Sequence, residues 1–190
     1  MIDNYSIYGA RKKTMSKWIY FALLFVSFIW VSVYPAVGSV ISTFHYGYGN
    51  LIDMQASAFG AIVFFTLFDA LFFFVAFELI FYFYKYVLAF KIYSFIVPTE
   101  DLKAKSHIFF VYRNLIYGVF MNLCFIFPYL YAYIECINLI VTLIVLLIYA
   151  KHLVKTYSEP VISHFVFKNF CYPVFVYEAL VVIVAVLEVI

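Results

Sequence analysis

Charge is scarce in this chain. Of its 190 residues only 12% are Asp, Glu, Lys or Arg, about half the share of a soluble domain, which is about a quarter charged. That excludes an ordinary water-soluble fold, because too little polar surface is left to cover a core. Glycine is also scarce, with six residues, whereas alternating-access transporters rely on broken helices and small residues at their moving interfaces. Cys124, Cys136 and Cys171 are odd in number and lack C-x-x-C spacing, so they read as apolar side chains rather than a disulfide frame or metal site. The sequence contains no H-E-x-x-H, no G-x-S-x-G and no glycine-rich phosphate loop, the constellations that carry most zinc, acyl-transfer and nucleotide chemistry. With a net charge of +2 there is no basic excess to attract nucleic acid.

What the chain has in abundance is apolar surface: 68% of residues are hydrophobic and 24% aromatic. The apolar runs are continuous, as over 61–83, and do not alternate with the period of two that barrel strands show. In lipid every backbone polar group must be satisfied within the chain, which leaves helices or closed barrels. The fold class expected is therefore all-α, a polytopic transmembrane helical bundle forming one membrane domain over 1–190.

The basic residues set the topology. They fall into three clusters: Arg11, Lys12, Lys13 and Lys17; then Lys85, Lys91, Lys103, Lys105 and Arg113; then Lys151, Lys155 and Lys168. Between them, 18–84, 114–150 and 169–190 contain no Lys or Arg. A span needs about 20 apolar residues, so these stretches hold two spans, a tight hairpin and one span. Five spans follow, near 18–42, 58–84, 108–130, 133–153 and 170–190. The loops 85–107 and 154–169 lie on the basic, cytoplasmic-equivalent side, with the N-terminus inside and the C-terminus outside. The run 18–41 is too long for the apolar core of a signal peptide and reads as a retained first span. Segment 85–97 reads as an extension of span two or an interfacial helix ended by Pro98.

Acids inside spans are the first functional candidates, since charge at mid-bilayer is costly. They are Asp69 and Glu78 in span two and Glu178 in span five, with Glu188 near its outer end. No base is expected deep in any span, so the acids should be protonated or face the cations of another chain. Glu78 and Glu178 should sit at similar depths and be able to meet. Asp69 and Glu78 are nine residues apart, on opposite faces at 100° per residue, which calls for a central span two or a partner packed on one side.

A polar stripe on span three, Asn114, Gly118 and Asn122, is matched by Asn138 and Thr142 on span four; amides at this spacing typically bond between helices. In span one, Ser32/Ala36 and Gly38/Ser42 beside Pro35 read as a packing face with a kink. His107, His152 and His164 belong to the basic edge and, with Glu159, form a weak metal candidate without ligand spacing. Tyr46-Gly47-Tyr48-Gly49 resembles the G-Y-G of potassium-channel filters over three residues. No pore helix fits before it, and it reads as a glycine turn with interfacial tyrosines. Gly60-Ala61-Ile62-Val63-Phe64-Phe65 is similar to a glycine-containing helix of complex I membrane subunits, over six residues that imply no role by themselves.

These features point to a non-catalytic integral subunit of a larger membrane complex, respiratory, secretory or similar, in a plasma or organellar inner membrane. Its expected partners are lipid and other membrane subunits, with bound lipids in place of any cofactor. The second expectation is a small proton-linked transporter or channel using Asp69, Glu78 and Glu178.

Overall fold

The computed structural model describes residues 17–45, 51–84, 99–156 and 160–189. Tyr46 to Gly49, segment 85–97, Glu159 and the basic group Arg11 to Lys13 lie outside them, as do the side chains of His164 and Glu188. Five helices follow in order: α1 (Lys17–His45), α2 (Leu51–Phe83), α3 (Thr99–Leu123), α4 (Ile134–Thr156) and α5 (Pro160–Val189), with a 3₁₀ helix at Pro128–Tyr133 before α4. No strand occurs among the described residues. Among the described residues four stretches are long and apolar enough to cross a membrane: Trp18–His45, Asp53–Phe83, Pro128–Lys155 and Phe167–Val184. The molecule is an all-helical, membrane-embedded bundle.

α3 is the exception, and its boundaries differ from the expected span at 108–130. It begins at Thr99 and ends at Leu123. Pro128 has no N–H to continue a helix and disfavours helical backbone at the residue before it. Phe127 is accordingly extended, at φ −126° and ψ 77°, and the chain turns through 124–126 into the 3₁₀ helix. His107, Arg113, Asn114 and Asn122 keep α3 below the apolarity of its neighbours. It tolerates them because it packs against α1, α4 and α5. Its buried positions Ser106, Phe110, Arg113, Tyr117 and Met121 recur at three and four residues. They form a stripe along one face.

Ring contacts and hydrogen bonds fix the helix directions. Phe21 of α1 meets His107 near the start of α3 at 5.4 Å, and Tyr84 at the end of α2 hydrogen-bonds Asn169 near the start of α5. Tyr149 near the end of α4 meets Phe170 at 5.4 Å. At the other end Tyr34 meets Phe125 edge-on at 4.9 Å and Tyr131 at a tilt at 5.6 Å. The helices therefore alternate in direction, and Lys103, Lys151, Lys155 and Lys168 gather at one end. Between the helices lies an aromatic core. Phe110 sits edge-on to Phe73 at 4.8 Å, Phe77 at 5.1 Å and Tyr177 at 5.1 Å, the geometry that ring quadrupoles favour.

Of the two small-residue pairs in α1, Ser32 and Ala36 are fully buried. Gly38 and Ser42 are not in the packed face: a Cβ on Gly38 would meet nothing within 4 Å, and Ser42 is exposed.

Candidate functional site

Arg113, expected at the basic edge, is buried inside the bundle and paired with Glu178, and it defines the site. Arg113 sits in the middle of α3 rather than at the basic edge, because the helix starts at Thr99, well before position 108. Its guanidinium donates from Nε to Thr142 Oγ1 on α4 (3.2 Å), from Nη1 to Asn114 Oδ1 (2.8 Å) and from Nη2 to Glu178 Oε2 on α5 (3.2 Å). Its Cζ lies 5.2 Å from the centre of the Tyr117 ring, within cation–π range. Asn114 Nδ2 donates onward to Ser27 Oγ on α1 (3.1 Å), and Ser27 donates to Leu24 O. One connected set of polar groups thus ties α1, α3, α4 and α5 together. The planar fork of arginine suits this work, since it offers several fixed donors at once.

The Arg113 and Glu178 side chains are 9% and 3% exposed. Glu178 therefore takes its counter-charge from its own chain and does not need a partner's cation. Its second oxygen, Oε1, is buried without a hydrogen-bond partner among the described residues, as are Asn138 Oδ1 and Thr66 Oγ1.

Glu78 does not meet Glu178. It pairs with Lys103 of α3, and its Oε1 lies 3.6 Å from His107 Nε2. Lys103 and His107 are one helical turn apart, so both face the same acid. His107 is buried, with Phe21, Phe73, Phe74 and Phe77 around its ring. From His107 to Arg113 is six residues, roughly 9 Å along the axis, which separates the two ionic clusters.

Asp69 forms a third, smaller feature. The Ser32 hydroxyl lies between Phe28 O (2.8 Å) and Asp69 Oδ2 (3.3 Å). Asp69 and Glu78 do lie on opposite faces of α2, yet both reach protein. The buried stripe of α2 is Thr66, Ala70, Phe73, Phe77 and Phe81, and the two acids flank it, roughly 80° and 100° to either side at 100° per residue. One turns to α1 and the other to α3.

The expected polar stripe divides between two tasks. Asn114 and Thr142 belong to the arginine network. Gly118 and Asn122 hold α3 to α1 around Trp30: Asn122 Nδ2 donates to Trp30 O (3.0 Å), and Trp30 Nε1 donates to Leu115 O (3.2 Å). Gly118 gives the indole its place, since a Cβ there would overlap Trp30 Cδ1 and Nε1. Asn138 is buried in α4. From Lys103 to Asn122 the polar positions run roughly 28 Å along α3, close to the thickness of a bilayer core.

Cys124 and Cys171 are free and buried, and Cys136 is free and exposed. His152 is exposed on α4, and no group of three metal-ligating side chains occurs among the described residues. The residues that sequence reasoning missed are Arg113, Lys103, Ser27 and Trp30. The signal for Arg113 was present: Arg113-Asn114 interrupts an apolar run on both sides, over 108–112 and 115–120. No protein-family model, curated protein or solved structure matches this chain.

Proposed function

We propose that the chain is a non-catalytic integral subunit of a larger membrane assembly, whose buried charges serve to lock its own helices into a rigid frame. In this reading α3 is the fifth span, its polar face covered by α1, α4 and α5, and the lysine-rich end faces the cytoplasmic-equivalent side. The observation that supports it is the pairing of Arg113 with Glu178 inside the bundle, joined to α4 through Thr142 and to α1 through Asn114 and Ser27. A charge engaged this way opposes the sliding of one helix past another. The surface offered to partners is the outward side of α2, where Phe64, Phe68, Leu71 and Val75 are all more than half exposed. Gentle extraction followed by native mass measurement tests the reading. A defined stoichiometric complex with other membrane proteins is the expected result. A homogeneous particle of this chain alone would end it.

A second reading, a small proton-linked transporter or channel, draws on one observation. Glu178 Oε1 is buried without a hydrogen-bond partner among the described residues, while its Oε2 pairs with Arg113, and intramembrane ionisable groups default to a functional role such as a proton relay. If it holds, Glu178→Gln in proteoliposomes abolishes a proton-coupled flux that the unaltered chain supports. An unchanged flux rejects it.

A further inference from the structure

At the lysine-rich end α2 and α5 part into a groove of about 580 Å³, within the range of roughly 300–1,000 Å³ typical of ligand sites. Its walls are apolar: Leu79, Ile80 and Phe83 from α2, and Tyr172, Pro173 and Val176 from α5. Tyr84 donates to Asn169 Oδ1 at 2.6 Å and pins the two helices together at the lysine end. Pro173, which lies inside α5, has no N–H to return to Asn169.

The charge at this groove is one-sided. Among the described residues Lys168 is the single formally charged lining residue, with no acid beside it, and its Nζ stands 5.7 Å from the centre of the Tyr172 ring. Leu79, Phe83, Tyr172 and Val176 are each about half exposed or more, so the groove opens sideways to lipid rather than into the bundle. Along α5 it extends eight residues from Lys168 to Val176, roughly 12 Å, a little less than half of the ~30 Å hydrocarbon core. It therefore belongs to one leaflet.

We propose that this groove binds a single anionic glycerophospholipid from the leaflet on the lysine-rich side. One acyl chain lies against Leu79, Ile80 and Val176, and the phosphate rests at Lys168. A zwitterionic lipid offers the same chain but no net charge to complement the lysine. A free phosphate offers the charge but leaves the apolar wall uncovered. Basic side chains at this level are drawn to anionic headgroups, and the aromatic ring beneath Lys168 suits the interface.

The test uses the full chain in phosphatidylcholine nanodiscs containing a minor fraction of phosphatidylglycerol, with retained lipid counted by native mass spectrometry. The expected result is one phosphatidylglycerol retained in preference to phosphatidylcholine. Lys168→Ala should lower that preference about fivefold, the contribution of one basic residue near anionic lipid, and Lys168→Arg should keep it. Val176→Trp, which fills the apolar part, should remove the retained lipid altogether. Lys151→Ala, at an exposed position of α4 near the same end, should change nothing. Equal retention of both lipids by the unaltered chain would overturn the proposal, as would a Lys151→Ala loss as large as that of Lys168→Ala. Displacement of the lipid by equimolar glycerol phosphate would reassign the site to a headgroup alone and overturn it too.

Discussion

Among the described residues, two ion pairs built from similar groups stand in different settings. Arg113 and Glu178 are almost completely enclosed, whereas Lys103 and Glu78 are 28% and 33% exposed, near the end where the lysines gather. An exposed pair gains little, because polar surroundings already solvate each partner and screen their attraction. An enclosed pair is attracted strongly but has lost solvation that its neighbours must replace. The neighbours differ accordingly. Arg113 has Thr142, Asn114 and the Tyr117 ring around it, while Glu78 has Lys103 and the buried edge of His107. The deep pair carries an elaborate polar lining because it must, and the shallow one does without.

The sharpest way to break this contrast is to remove one deep partner. Arg113→Ala or Glu178→Ala should each cost about 3–5 kcal/mol, because the remaining charge is stranded. Replacing both, as Arg113→Met with Glu178→Leu, should recover most of that loss. Reversible unfolding in mixed micelles measures both outcomes. A single-variant loss below about 1 kcal/mol, the scale of an ordinary interhelical hydrogen bond in membranes, would make the pair no more than a neutral contact. Arg113→Lys should fall between, near 2 kcal/mol, since a point charge can reach Glu178 but gives up the bonds to Thr142 and Asn114 at about 1 kcal/mol each.

The next effect lies away from charge. Gly118→Ala places a methyl group in the space of the Trp30 indole, which is anchored by its bond to Leu115 O. Overpacking of this kind costs about 1–3 kcal/mol. Adding Trp30→Ala should relieve the clash, so the double variant loses less than the sum of the two singles. Strict additivity in the same unfolding assay would show that the ring swings freely into lipid and that Gly118 is not its seat.

How much of this was legible in the sequence depended on the scale of the signal. The helical class and the four helices long and apolar enough to cross a membrane follow from long apolar runs, which tertiary packing does not override. The third helix starts well before the span expected at 108–130, because its first turn is polar, and it ends before Pro128 although the apolar run continues past it. The later expected start puts Arg113 at the edge instead of mid-helix and hides the counter-charge of Glu178. Spacing along one helix brought Asn114, Gly118 and Asn122 to one side. It does not say which neighbour each one meets, and Ser27 and Trp30 lie 87 and 92 positions from their partners Asn114 and Asn122. Pairings over that separation are set by the packing of the whole bundle, and one sequence carries no local trace of them.

Glu78→Gln should have the smallest effect of the series. The substitution keeps the shape, leaves an amide oxygen to accept from Lys103 and removes only the net charge. For a pair this exposed the loss should be about 1 kcal/mol or less, and it should shrink further as salt is raised, because the Debye length falls from about 10 Å at 0.1 M to 3 Å at 1 M. The deep pair should show almost no salt response, since ions do not enter the enclosed core. The two salt titrations therefore distinguish enclosure from mere proximity of charge. If Glu78→Gln cost as much as Glu178→Ala and ignored salt, the shallow cluster would be enclosed as well, with His107 a full member of it. The distinction between a lined and an unlined ion pair would then fail.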